Sequence, residues 1–523
     1  MSQVKYFFLI ISLAVSSNIK SQTYHTKIDD LIFYDDNEME LFSKIDSLNI
    51  DEDFILLGFS NSNDRYNSIK LQKEFVDKWI SKHRDKVNKR SNNYEKAKYL
   101  IKKANKELFT KYSEKSNFYS LQQGRFDIDL AITTLSYSFS KLNIEYSLSE
   151  TAIGIFIILG HNQQLYFISI NDNKDIVILS KDDIERNIIT YKLEAKLIDN
   201  DEIRLLSPEL LADNVTSLEN LISIKEYCAW LFSKKATDEM ELEKYPEAIN
   251  NLKKAYFIYQ SPVIKSLLET TSLSAMQEGS YSTSKKIPFW ADYINLSTKE
   301  EATNSINYFH EEERNNLTKR KISTSQYIAE TDSLNSKILS QELIKVSNFN
   351  RNMALTYHFY NKSQSSKALS YSEKALEIFP NDTIANDVYS QLLLSSVNFN
   401  NSPQIALTKL EEKSIKYPLI KLNNRYNQAL LFLYLSNAID YFSSNNSKKG
   451  EYFLTKFENN FNTELEDLVK TGIIGKAYSS AVMHYFRMQK ISKAKATAKR
   501  GLKYDKGSQE LSYKLRLINE NPY

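Results

Sequence analysis

One segment of the sequence, residues 124–131, forms a turn at the start of a predicted helix, a position where a nucleophile would be activated. It reads Gly-Arg-Phe-Asp-Ile-Asp-Leu-Ala, so a Gly-x-x-Asp turn leads directly into an apolar, helix-like pattern. A helix N-terminus stabilises negative charge and would favour a thiolate placed there. The residue at this position is Ile128, however, and an Ile side chain cannot attack a carbonyl group.

A second segment, residues 150–156, consists of a Glu-Thr pair followed by Ala-Ile-Gly-Ile-Phe. Together with residues 124–131 it resembles the core of bacterial transglutaminase-like domains, which are relatives of papain-type cysteine enzymes. The resemblance places the catalytic Cys at Ile128 and the catalytic His at Gly154. Neither residue supports nucleophilic catalysis. The resemblance therefore implies a degenerate domain that is not an enzyme and has no catalytic residue.

Other polar residues near these segments have simpler interpretations than catalysis. Asp127 is typical of a helix N-cap, whereas His161 and Asp172 lie in predicted turns, where polar side chains face solvent. The rival hypothesis is an enzyme with unrecognised carboxylate-based chemistry, and its candidates are Asp127, Asp129 and Glu150. That hypothesis requires the three carboxylates to converge in space.

Helices and strands must position these segments. Apolar periodicity predicts a lead-in helix over residues 94–109 and a buried helix over 129–142. Two runs rich in Ile and aromatic residues, 154–159 and 165–170, predict strands joined as a hairpin. The sequence thus predicts a sheet packed on a helix in an α+β domain over residues 23–210. The resemblance requires such a sheet, and another small α+β fold is the open alternative.

The single cysteine, Cys228, lies in the apolar run 227–232 and has no His close to it in sequence. A buried small hydrophobe is a simpler interpretation of this residue than a nucleophile. The six His residues are scattered singly, so their spacing does not match a metal site. We expect neither a metal nor a cofactor.

The C-terminal half contains small residues that recur at regular intervals. Small residues seven apart lie on one face of a helix, where they let two antiparallel helices approach closely. The pairs are Ala248 with Ala255, Ala368 with Ala375, and Ala494 with Gly501. The anchors Ala368, Ala406, Gly450 and Ala494 are separated by 38, 44 and 44 residues. Pro380 and Pro418 follow two of these anchors and would end the second helix of a pair.

This pattern is similar to the tetratricopeptide repeat, whose unit is a pair of helices. In the best copy, residues 352–380, Leu355 and Phe359 fall at the family's packing positions in the first helix. The resemblance implies an all-α helical-repeat solenoid over residues 211–523. The intervals exceed the usual unit of about 34 residues, so the repeats would be irregular. An ordinary helical domain is the open alternative.

The repeat pattern fades between residues 267 and 349. Residues 300–316 and 326–346 still have helical periodicity, whereas 280–284, a run of Ser, Tyr and Thr, predicts a loop. Both divergent repeats and an insertion fit this region.

Helical-repeat solenoids bind proteins or peptides, usually through their concave face. The resemblance places Asn350, Tyr357 and Tyr360 on that face, so these are the candidate binding residues. The open alternative is that the tyrosines only cover a neighbouring helix. We expect a protein or peptide partner.

Charge and the N-terminal segment bear on location and partner class. The net charge is +3, with acids and bases interleaved, which gives no reason to expect nucleic acid. Lys5 followed by the apolar residues 6–15 is typical of a secretory signal peptide, with cleavage after Ser17 or Ser21. No other run is long and apolar enough to span a bilayer. We therefore expect a signal peptide over residues 1–22 and an exported protein, periplasmic or secreted.

Overall fold

A computed structural model describes residues 28–33, 36–45, 58, 66–113, 118–151, 154–170, 174–195, 220–279, 281–397, 403–461 and 471–520. The predicted signal peptide, the predicted domain boundary at residue 210 and Asp172 lie outside these ranges. The described residues form mostly α-helices with a small antiparallel sheet. The chain divides into two compact units, Met1–Lys299 and Glu300–Tyr523.

The first unit contains the sheet and the helices on both of its faces. In chain order its elements are a 3-10 turn (Ile28–Asp30), α1 (Asp36–Ser43), α2 (Tyr66–Asn88), α3 (Asn93–Glu107), β1 (Lys111–Tyr112), α4 (Phe118–Leu121), β2 (Arg125–Phe126), α5 (Ile128–Lys141), β3 (Ser147–Thr151), β4 (Gly154–His161), β5 (Gln164–Ile170), β6 (Ile176–Ser180), α6 (Lys181–Glu194), β7 (Leu221–Ile222), α7 (Ile224–Glu241), α8 (Tyr245–Ile258), α9 (Pro262–Gln277) and α10 (Thr283–Leu296).

The main sheet has the strand order β6-β5-β4-β3-β7 and buries both faces of its central strand β4. Ile155, Ile157 and Leu159 belong to the core cluster that includes α3 and α5. The alternate residues Phe156 and Ile158 pack with α6 on the other face. This alternation follows from the two-residue period of a strand. The predicted sheet packed on a helix is therefore present.

The predicted hairpin is confirmed, with a shorter turn than expected. Strand β4 pairs with β5, and His161 lies opposite Gln164. The two connecting residues, Asn162 and Gln163, have φ values of 49° and 64°, as a tight type I′ turn requires. His161, predicted to be solvated in this turn, instead ends β4, and its ring stacks on Tyr94 with 5.0 Å between centroids.

The second unit is built from helices. In chain order these are α11 (Lys299–Thr318), α12 (Thr324–Asn335), α13 (Gln341–Asn361), α14 (Ser365–Ile378), α15 (Thr383–Ser395), α16 (Pro403–Lys416), a 3-10 turn (Pro418–Leu422), α17 (Asn424–Ser443), α18 (Ser447–Asn460), α19 (Ile473–Arg487), α20 (Ile491–Tyr504) and α21 (Gln509–Glu520). Sequential helices pack against each other, α13 with α14, α17 with α18 and α19 with α20.

Two predictions for residues 267–349 are wrong in detail. The helix predicted over 326–346 is broken between α12 and α13, because the Ser340 side chain accepts a hydrogen bond from the backbone N–H of Leu343 and starts a new helix. The loop predicted over 280–284 lies two residues earlier in the sequence, since α9 ends at Gln277 and α10 already begins at Thr283.

Close approach between helices explains the recurring small residues. Ala368 is fully buried between α13 and its neighbours. A Cβ added to Gly450 would lie 2.7 Å from the ring of Phe442, and one added to Gly501 would lie 2.6 Å from Cγ of Tyr478. Real Cβ atoms do not approach so closely, so these positions require glycine. The expectation that small residues allow helices to approach is confirmed here.

Replacing Gly501 by Ala is expected to destabilise the second unit. The new Cβ would also lie 2.7 Å from the Cβ of Tyr478, which cannot move unless α19 itself shifts. Overfilling a core costs about 1–3 kcal/mol, which outweighs the gain of about 1 kcal/mol in helix propensity. Urea unfolding followed by circular dichroism measures the change. The control is Gly507→Ala, where the added Cβ meets no atom within 4 Å. Equal or greater stability of Gly501→Ala would contradict this explanation.

Buried tyrosines connect neighbouring helix pairs through carboxylates. The Tyr434 hydroxyl donates to Glu411 at 3.0 Å, and the Tyr485 hydroxyl donates to Glu451 at 2.8 Å. Arg500 forms an ion pair with the same Glu451 at 2.9 Å. Burial and the adjacent carboxylates raise the pKa of both tyrosines, so the hydroxyls stay protonated. These contacts satisfy polar groups between helix pairs and give many tyrosines a structural role.

Candidate functional site

The start of α5 is the site to which the sequence points. The Asp127 carboxylate accepts a hydrogen bond from the backbone N–H of Leu130 at 2.8 Å, so the prediction that it caps the helix is confirmed. Gly124 has a φ of +70°, as expected for a turn residue. Ile128, the first residue of the helix, is partly buried and packs against the core of the first unit.

Residues of α7 hold the first turn of α5 in place. Asp129 forms an ion pair with Lys234. The Tyr227 hydroxyl donates to the backbone carbonyl of Asp129 at 3.1 Å and lies 2.9 Å from Oγ1 of Thr133. Burial raises the pKa of Tyr227 well above its usual value, and the charges of Asp129 and Asp127 add to the effect. Tyr227 therefore remains a hydrogen-bond donor at neutral pH and cannot act as a base.

Cys228 also lies in this region, next to Tyr227 on α7. Its side chain is 1% exposed, which confirms the prediction of a buried residue. Burial raises the pKa of the thiol, and low polarity disfavours the thiolate that nucleophilic attack requires. Cys228 therefore serves as a small core residue.

Gly154 has a backbone reason to be glycine. It is the first residue of β4, pairs with Thr151 and has a φ of +132°, a conformation that residues with a side chain rarely adopt. A His at this position would strain the backbone. The backbone conformation at the start of β4 therefore suits the glycine that is present and not the His that the resemblance would place there.

The three candidate carboxylates differ in their surroundings. Asp127 and Asp129 have the structural partners described above, whereas Glu150 lies on β3 and is partly buried. Burial raises the pKa of Glu150, and the negative charge of Glu226 raises it further. Both effects disfavour the charged form of Glu150. Asp127 and Asp129 act electrostatically on Tyr227, whereas Glu226 is a charged neighbour of Glu150.

The predicted binding residues lie along α13 in three different environments. The side-chain amide of Asn350 donates to Oδ1 of Asn307 on α11 at 2.7 Å. Tyr357 is partly buried and packs against a core cluster of the second unit. Tyr360 is 56% exposed, and Tyr308, next to Asn307, is 61% exposed.

A buried Ser-His-Tyr arrangement in the second unit was missed by the sequence reasoning. His310 Nδ1 lies 2.7 Å from the Tyr327 hydroxyl, and Nε2 lies 3.0 Å from Oγ of Ser347. All three side chains are at most 3% exposed, so a substrate could not reach them. Burial lowers the pKa of His310 to about 3, and the charge of Arg351 contributes. The three residues come from three helices, so no local sequence motif could reveal them.

The sequence matches neither any of the protein-family models nor any of the curated proteins with which it was compared. In the part of the chain that the structure describes, the helices are too short or too polar to cross a membrane.

Proposed function

We propose that this chain is an exported, non-catalytic protein-binding scaffold of the bacterial cell envelope. In this proposal a degenerate transglutaminase-like domain precedes an irregular tetratricopeptide-type solenoid. One observation carries the binding role, namely the surface on which Asn307 and Asn350 join α11 to α13. Tyr308 and Tyr360 are more than half exposed on the same two helices. Tyrosines are enriched at protein-recognition surfaces.

The start of α5 supports the non-catalytic part of the proposal. Asp127 caps the helix, Asp129 pairs with Lys234, and Tyr227 is held protonated by burial. Each of these groups already has a structural task, and the residue at the helix start is Ile128. Hydrolysis or acyl transfer by the pure protein would contradict this part.

Site-specific crosslinking in native cells tests the binding role. A photo-crosslinking residue placed at Tyr360 of the full chain is expected to capture a protein partner. The matched control is Tyr452 on α18, which is 55% exposed, nearly the same as Tyr360. The proposal requires a partner captured at position 360 and absent at position 452. Capture of nothing at 360, or of the same proteins at both positions, would contradict it.

One observation favours the alternative, an enzyme with carboxylate-based chemistry. Glu150 has a raised pKa, caused by burial and by Glu226, and a general acid needs this property. If the pure protein hydrolyses any substrate, the Glu150→Gln variant separates the two readings. If Glu150→Gln loses turnover and Asp127→Asn retains it, the protein is an enzyme that uses Glu150. Protein binding would then not be its sole role.

A further inference from the structure

The N-terminal part of the chain lies on α8 in the manner of a bound peptide. The side-chain amide of Asn250 makes two hydrogen bonds to the backbone of Ile32. Its Oδ1 accepts from the Ile32 N–H at 2.8 Å, and its Nδ2 donates to the Ile32 carbonyl at 2.9 Å. The Ile32 side chain is 72% exposed. Asn250 thus binds the backbone of the segment. Because the Ile32 side chain faces solvent, other side chains would also fit at this position.

The helix that follows, α1, supplies two buried anchors. Phe42 is 1% exposed, and its ring lies 5.9 Å from the rings of both Phe232 on α7 and Phe257 on α8. Glu38 pairs with Lys254 of α8 at 2.7 Å, and these side chains are 3% and 0% exposed. An acid and an aromatic four residues apart share one face of a helix. These two anchors, unlike Ile32, require particular side chains.

A cavity of about 450 Å³ continues the same surface beyond the docked residues. Asp30 and Ile32 border it on one side, and Ile249, Lys285 and Phe289 of α8 and α10 border it on the other. This volume is within the range of small ligand sites, and its lining is mostly apolar. The surface of α7, α8 and α10, here called the α8 groove, therefore has room next to the segment that it holds.

We infer that the α8 groove is a peptide-binding site, which residues 28–33 and 36–45 occupy as a tethered ligand. The inference goes beyond the proposed binding surface of α11 and α13 by naming a second site and its partner class. The partner is a protein segment with an extended residue, followed by a short helix that carries a carboxylate and, four residues later, an aromatic ring. Asn250 binds the backbone of this segment, Lys254 its carboxylate, and Phe232 with Phe257 its ring. The tethered segment competes with the partner and keeps the groove filled until the partner displaces it.

A fluorescent peptide with the sequence of residues 28–45 is the probe, tested against the full chain. The Glu38→Gln variant weakens the tethered ligand and leaves the groove unchanged. It is expected to bind the peptide at least tenfold more tightly than the wild-type chain. The control variant Glu40→Gln changes a solvent-exposed residue of α1, paired with Lys44, and is expected to bind like the wild type. A peptide carrying Phe42→Ala is expected to bind at least tenfold more weakly.

Several results would overturn the inference. One is that the full-length Glu38→Gln and Phe42→Ala variants fold but bind the peptide no better than the wild type does. A concentration-dependent dimer of the wild type, abolished by Asn250→Ala, would instead make a second copy the occupant. If both variants fail to fold, hydrogen exchange of the wild type decides, because the Ile32 amide must exchange faster than the amides of α8. Equal rates would exclude release of the segment. The scaffold role is tested separately at Tyr360. A negative result in the peptide experiments would therefore contradict only the peptide-binding role of the α8 groove.

Discussion

Replacing Glu38 by Gln is expected to weaken the attachment of α1 to α8 by about 3–5 kcal/mol, because it removes the carboxylate from a buried ion pair with Lys254. Lys235 lies near the same site. Burial lowers the pKa of Lys235 to about 8, with Lys254 adding to the decrease and both Glu239 and Glu38 opposing it. Loss of the Glu38 charge therefore removes one of two carboxylates that offset the repulsion between Lys235 and Lys254. The Ile32 amide, which donates to Asn250, is expected to lose two to three orders of magnitude of hydrogen-exchange protection.

A surface ion pair on the same helix provides the control for this variant. Glu40 and Lys44 are 61% and 55% exposed, so Glu40→Gln is expected to change stability by less than about 1 kcal/mol. The double variant Glu38→Leu with Lys254→Met removes both charges and is expected to recover most of the protection. Equal exchange at Ile32 in Glu38→Gln and Glu40→Gln would show that the buried pair does not hold the segment.

Lowering the pH from 7.5 to 4.5 is expected to remove about 3 kcal/mol from the stability of the second unit through His310 alone. The folded pKa of His310, about 3, lies below the ordinary value of 6.5 because the ring is buried. Below pH 6.5 the unfolded chain binds a proton that the native state excludes. The stabilising contribution is therefore complete above pH 6.5 and is lost as the pH falls towards 3.

Hydrogen exchange of the amides in α11 and α13, corrected for intrinsic rates, follows this loss. Tryptophan fluorescence would not serve, since Trp79, Trp230 and Trp290 all lie in the first unit. The His310→Gln variant keeps a polar side chain near Tyr327 and Ser347 and removes the titrating ring. The stability of this variant should depend less on pH than that of the wild type. Between pH 6.5 and 4.5 its unfolding should take up about one proton fewer. An identical pH dependence in both proteins would contradict the assignment.

Local features of the fold could be predicted from the sequence. The helices predicted over residues 94–109 and 129–142 correspond to α3 and α5 within two residues. The helix cap at Asp127 and the tight turn after β4 depend only on residues a few positions apart. The small residues at Gly450 and Gly501 were also found correctly, since Gly501 lies seven residues after Ala494 and Gly450 falls at the 44-residue interval between anchors.

Contacts between distant residues could not be predicted in this way. Lys254 and Glu38 are separated by 216 positions and Asn250 and Ile32 by 218, with no pattern to connect them. The His310 arrangement likewise joins three helices. The break between α12 and α13 contains neither Gly nor Pro, so the helical periodicity across it was misleading. The α8 groove was missed for the same reason, since it exists only after the chain has folded.

The most direct test of the scaffold role is the equilibrium affinity of a partner captured at Tyr360. It is measured with the pure wild-type chain and with the double variant Asn350→Ala, Tyr360→Ala, with Tyr452→Ala as the control. We predict an affinity at least tenfold weaker in the double variant and unchanged in the control. Equal affinity in all three proteins would show that the surface of α11 and α13 does not bind the partner, and would contradict the proposed function.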